Sequence, residues 1–116
     1  MLIDYLRSLR PALKTGLLSN AWTSLRAALE NQWAIADAFD VIVVSAEIGL
    51  AKPDPRIFHL ALAELGVLPE EAVFLDDMQE NIEAARFVGM RGILFANAQQ
   101  AMDEIASIID IPPAVL

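Results

Sequence analysis

Two adjacent carboxylates, Asp76 and Asp77, stand directly after the apolar run Val73–Phe74–Leu75. Side by side at the mouth of a buried strand, they repel each other unless positive charge is near. A hard divalent cation such as Mg²⁺, which takes oxygen ligands, supplies such charge. The same residues also fit a plainer arrangement, in which one carboxylate caps the next helix and the other faces water. Asn81, four residues past Asp77, falls one turn into that helix, where it orients a carboxylate or caps the helix. Lys52 is one of two lysines, with Lys14, and lies in a loop beside Pro53. A fixed lysine there neutralises a phosphate or a crowded carboxylate cluster; the alternative is an exposed loop lysine. Ser19 is placed to donate to a phosphoryl oxygen, and Asn20 to cap a helix whose N-terminus favours anions. His59, the single histidine, reads as a surface or packing residue. Trp22 and Trp33 read as helix-packing residues rather than a ligand cage. Met78 could line a cleft, and Tyr5 has no nearby base.

These residues need elements to hold them. Leu2, Leu6, Leu9 and Leu13 repeat at helical spacing, with Pro11 stopping the helix near Arg10. GLLSN at 16–20 suits a short buried strand, and Trp22, Leu25, Leu29 and Trp33 return to helical spacing over 22–33. Val41–Val44 is an unbroken β-branched run, as a strand covered on both faces requires. Residues 47–55 read as a loop. Asp54–Pro55 then reads as an N-cap with proline at the first helical position, and Gly66 as the C-cap after Leu65. Pro69–Glu71 is a turn. Val73–Leu75 is a third strand, followed by a helix from Glu80 or Asn81 to Val88 with Gly89 as its stop. Gly92–Phe95 is a fourth strand, and a last helix spans about Gln99 to Ile109. Pro112 and Pro113 end structure near the C-terminus. Strand and helix alternate four times after the first helix, which predicts an α/β three-layer sandwich around a parallel, Rossmann-like sheet. Each strand ends in small or polar residues, so Ser19, Ser45, Asp76, Asp77 and Asn97 collect along one sheet edge, where open α/β folds bind ligands.

Composition narrows the function. The 116 residues suit one domain, and a hydrophobic fraction of 56% suits a folded one. A net charge of -8 argues against binding a nucleic-acid backbone or an anionic membrane surface. The absence of cysteine removes thiol nucleophiles, disulfides and thiolate zinc sites. No apolar run has membrane-spanning length, and the first residues do not resemble a signal peptide. A soluble, cytoplasmic protein is expected.

Three segments in order resemble the C-terminal part of the haloacid dehalogenase-like hydrolase superfamily, in particular phosphatases with a small helical cap. These include glucose-1-phosphate phosphatases and the N-terminal phosphatase domain of soluble epoxide hydrolase. LLSN at 17–20 resembles the second family motif, GLAKPDPRIF at 49–58 the third and VFLDDMQENIEAARFVGM at 73–90 the fourth. The resemblance covers nearly the whole chain. It implies that Ser19, with Asn20, binds the transferring phosphoryl group and that Lys52 stabilises the nucleophile and phosphoryl oxygens. It further implies that Asp77 coordinates Mg²⁺, that Asp76 supports the acidic cluster as part of the catalytic set, and that Asn81 lies just behind it. A small phosphorylated metabolite is the implied substrate.

The chain departs from the family at one place. Family members begin with a strand carrying DxD, whose first aspartate is the nucleophile and whose second is the general acid/base; no DxD occurs here. The helical cap between the first and second motifs is missing too, so residues 1–116 correspond to a partial, incomplete core. The absent strand is the central one, which leaves a gap of about 10 Å, two interstrand spacings, between the strands ending at Ser19 and Asp77. Three answers are expected: direct pairing of those strands, exchange with a second copy, or a retained N-terminal fragment. The last two, a homo-oligomer or a bound fragment, are favoured.

Several functions follow from these residues. One is the core of a Mg²⁺-dependent phosphate monoester hydrolase acting through an aspartyl-phosphate, inactive as this isolated chain. Others are a non-catalytic structural or interaction module derived from it, and dehalogenase-type chemistry. A receiver-like or nucleotide-binding domain fits the sheet and the aspartate pair, but no glycine-rich phosphate loop is present.

Overall fold

The computed structural model describes residues 2–108 and 114–116. Among them, helix α1 (Leu2–Leu9) precedes strand β1 (Lys14–Ser19), and α2 (Ser24–Ala27) runs into a π-helical turn at Ala28–Gln32. Strand β2 (Val41–Val44) leads directly into the single turn α3 (Ser45–Ile48), and α4 (Pro55–Leu65) follows. Strand β3 (Ala72–Asp76), α5 (Gln79–Val88), β4 (Arg91–Leu94) and α6 (Ala98–Ile108) alternate after that, and β5 (Ala114–Val115) comes last. All pairings are parallel, in the order β2-β1-β5-β3-β4.

Helices cover both faces, as the sequence pattern requires. Successive strand residues point to opposite sides. Ala72 and Phe74 therefore join Leu18, Val43, α4 (Ile57, Phe58, Ala61) and α5 (Ile82, Ala85) in one core, where the Phe58 and Phe74 rings meet edge to face at 5.0 Å. Val73 and Leu75 face the other way and pack with Ile93, α1 (Leu6) and α6 (Ile105). β5 follows the same alternation, since Val115 enters the second core and Leu116 the first.

The α4 boundaries follow the sequence signals. The Asp54 side chain accepts the Arg56 N–H at 3.0 Å, Pro55 opens the helix and Gly66 closes it at φ 72°. Other expectations need correction. The helix read over 22–33 begins only at Ser24, and the π-turn shifts its phase after Ala27. Leu29 is thus buried, while Trp22 is 82% and Trp33 52% exposed, so neither tryptophan is a packing residue. Asn20 does not cap that helix. Thr23 occupies the N-cap position, without a side-chain cap bond. The loop read from residue 47 starts later, because Ser45–Ile48 is helical and Gly49 ends the turn at φ 72°.

The largest correction concerns the gap. β1 and β3 do not pair with each other. The chain's own residues 114–115 lie between them, in register with Lys14 and Thr15 on one side and Ala72 and Val73 on the other. Leu116 extends the pairing, donating to the Val73 carbonyl at 2.6 Å and accepting from the Leu75 N–H at 2.8 Å. The stop expected at Pro112 and Pro113 lies outside the described residues, as does the Ile109 end of the last helix.

Candidate functional site

The strands are parallel, so their C-terminal ends share one edge, and the chemistry-bearing residues collect there. Asp76 is the last residue of β3. Lys52 reaches it from the loop between α3 and α4, with Nζ 2.6 Å from Asp76 Oδ2. The two side chains are only 11% and 6% exposed, so Lys52 is no surface lysine. Its Nζ also lies 5.6 Å from the centroid of the Phe74 ring, whose π face attracts a cation.

Asp76 is held from three sides. Its Oδ1 accepts the Met78 N–H at 2.8 Å, and its Oδ2 accepts Asn81 Nδ2 at 3.3 Å as well as Lys52. Burial favours the neutral acid. The Lys52 ammonium and the Met78 N–H outweigh it and hold the carboxyl below its ordinary range, with a smaller contribution from the Asp77 side chain. Asn81 therefore orients a carboxylate, one of its two expected roles; its Oδ1 is buried with no hydrogen-bond partner among the described residues. Asp77 is exposed, in contrast to its neighbour.

The other half of the edge is fastened to Lys52 through its backbone. Asn20, one residue beyond the end of β1, accepts the Lys52 N–H on Oδ1 at 2.9 Å and donates Nδ2 to the Lys52 carbonyl at 3.0 Å. This two-way amide clamp fixes the loop that carries the ammonium. Ser19, half-buried, closes β1 beside it. A cavity of about 280 Å³ opens next to Asn20, lined also by Ala21, Trp22, Ser45 and Ala46. The structure thus joins Lys52, Asp76 and Asn81 directly and ties Asn20 to Lys52. Ser19 and Asp76 end strands separated by β5. The amide clamp is not legible from local spacing, because Asn20 and Lys52 are 32 positions apart.

The donor set does not by itself make a magnesium site. Among the described residues no group of three or more His, Asp or Glu side chains could hold a metal ion. Both Asp76 oxygens are engaged by protein donors, one of them the cationic Lys52. Also among the described residues, no helix is long and apolar enough to cross a membrane.

The chain belongs to the haloacid dehalogenase-like hydrolase family, which matches residues 2–89. It is 34% identical to a phosphoserine phosphatase of Thermus thermophilus over 99 residues, covering 84% of this chain and 40% of that protein. It is 36% identical to the phosphatase MT3486 of Mycobacterium tuberculosis over 109 residues, covering 92% of this chain and 50% of the relative. A solved enzyme of the same family from Bacteroides thetaiotaomicron, in complex with magnesium and inorganic phosphate, superposes with a TM-score of 0.72 at 28% identity. That alignment covers 81% of this chain and 50% of the enzyme. The chain spans about half, or less, of the length of these relatives.

Proposed function

We propose that this chain forms the phosphate-binding and charge-stabilising part of a phosphate monoester hydrolase, with the nucleophile supplied by a segment outside these 116 residues. The observation that carries this reading is the buried Lys52–Asp76 pair, clamped through Asn20 to the end of β1. In the complete reaction an aspartate oxygen attacks phosphorus. The ester P–O bond breaks, and the leaving alcohol takes a proton from a general acid. Water then cleaves the aspartyl-phosphate, releasing inorganic phosphate and restoring the carboxylate. Lys52 offsets the charge that develops on the phosphoryl oxygens, and the Ser19 hydroxyl donates to one of them. Asp76 fixes the ammonium in place. Asp77, exposed beside the site, is the carboxylate left to a Mg²⁺ ion, with the remaining donors coming from elsewhere. The substrate is a small phosphorylated metabolite, and the isolated chain is inactive because it lacks the nucleophile and the acid/base.

The test uses the longest natural form of the protein. Lys52→Ala is expected to lower phosphate-ester turnover by about 10²-fold, because it removes charge stabilisation made in the transition state. Unchanged turnover across a panel of phosphoesters removes Lys52 from the mechanism. Calorimetric titration of the 116-residue chain with Mg²⁺ is expected to show only weak binding; low-micromolar dissociation would contradict the incomplete donor set.

A second reading, an interaction module derived from such a hydrolase, draws on the inner edge of β1. β5 pairs with Lys14 and Thr15 only, while β1 runs on through Gly16 to Ser19. A homo-oligomer or a retained N-terminal fragment would cover that remaining edge with a further strand. Light scattering with intact mass spectrometry tests it; a sharp monomeric mass near 12.7 kDa with no second peptide rules the assembly out.

A further inference from the structure

The cavity beside Asn20 has walls of a particular character. None of its five lining residues, Asn20, Ala21, Trp22, Ser45 and Ala46, carries a charge. Their polar groups are largely spent on the protein itself. The Asn20 amide is taken by the Lys52 backbone. Ser45 Oγ accepts the Ala21 N–H at 3.0 Å and donates to the Ala21 carbonyl at 3.2 Å, and that carbonyl also accepts the Ala46 N–H at 3.2 Å. These bonds tie the end of β1 to the start of α3 and make the cavity floor rigid. What is left toward the opening is the indole of Trp22, 82% exposed, with two alanine methyl groups. An exposed indole beside a cavity offers a flat apolar face on which a planar ring can stack.

Trp22 is three residues past Ser19, so its Cα lies within about 11 Å of the Ser19 Cα. Asn20, which lines the same cavity, is bonded to the Lys52 backbone, so the cavity adjoins the loop that carries the ammonium. We propose that this cavity takes the leaving group of the substrate, and that Trp22 selects phosphomonoesters whose leaving group carries a planar, uncharged ring. The inference rests on the phosphate-binding reading of Ser19 and Lys52. The division of labour follows from the lining: the charged end of the ligand meets Lys52, and the ring meets Trp22 where no ionisable side chain competes. The Trp22 face tolerates different rings, because every aromatic ring offers a π surface, so the selection is for planarity rather than for one compound.

Binding is the readout, since it does not require turnover. A Trp33→Phe background leaves Trp22 as the sole tryptophan. Its emission and the ³¹P resonance of the ligand are followed with three probes: inorganic phosphate, glycerol phosphate and phenyl phosphate. Phenyl phosphate is expected to bind about tenfold more tightly than glycerol phosphate and to quench Trp22. Trp22→Ala, read by ³¹P, is expected to erase that preference, and Trp22→Phe to keep most of it. If all three probes bind equally and Trp22→Ala changes nothing, the ring pocket is overturned while the phosphate site stands. If none binds by either readout, the phosphate site itself falls, and the inference with it.

Discussion

At the scale of single residues, the site depends on a carboxylate kept charged in the interior. Burial opposes the ionised form of Asp76, but Lys52 Nζ and the Met78 N–H outweigh it, with a smaller contribution from the Asp77 side chain. The folded-state pKa of Asp76 is lowered, so its contribution to stability is fully present above the unfolded value near 3.9. That contribution is lost as the pH falls through the lower folded value. Asp40 adds to the same acid dependence. Burial opposes its charge too, but the Thr15 N–H at 2.7 Å and Arg10 at 2.8 Å hold its carboxyl below the ordinary range. Urea midpoints measured from pH 7 to pH 2 are expected to stay level above about pH 5 and to fall steeply below pH 4. Asp76→Asn should start lower at pH 7 and show a shallower acid fall. A variant curve running parallel to the wild type would remove Asp76 as a source of the acid dependence.

At the scale of elements, legibility followed the strength of local signals. Val41–Val44 and the Asp54–Pro55 start of α4 are recovered because each carries its own physical cause, β-branching in one and a cap with a pre-set φ in the other. The place of Asp76 at the carboxyl edge is readable for the same reason, as β3 ends abruptly in two adjacent carboxylates. β5 is not readable. Ala114–Val115 is two residues long, directly follows two prolines, and becomes a strand only because β1 and β3 offer edges on both sides. Trp22 misleads in the opposite way: its spacing fits a helix that starts two residues after it. The β5 position has its own check at Gly16. A Cβ there meets Leu116 Cδ2 at 2.6 Å and the Val41 carbonyl at 3.4 Å, which is too close for a larger side chain without moving Leu116. Gly16→Val is expected to destabilise the chain by about 2 kcal/mol through overpacking, measured by urea unfolding. Combining it with Leu116→Ala, which vacates the space, should restore part of the loss. A double variant no better than Gly16→Val alone would place Leu116 elsewhere.

At the scale of the whole molecule, the sheet consists of two strand pairs, β1–β2 and β3–β4, joined through β5. Deleting residues 114–116 is expected to leave both inner edges bare and to promote association, because unpaired edges recruit strands from other chains. Light scattering of the shortened and full chains side by side checks this. A shortened chain as monodisperse and as stable as the full one would show that β5 does not hold the halves together. The order of assembly follows from the same arrangement. Lys14 and its β5 partner Ala114 are a hundred positions apart in the chain, whereas β3 and β4 meet across a short helical crossover. Contacts between distant positions form late, because the intervening chain must lose its freedom first. On a ribosome, β5 is also the last of the five described strands to emerge. Until it does, the inner edges of β1 and β3 are open, while the core shared by Leu18, Val43, Phe58 and Phe74 ties the two strand pairs together from one face. Residues 114–116 follow both strand pairs in the chain, so the inner edges of β1 and β3 stay open to other strands until those residues are made.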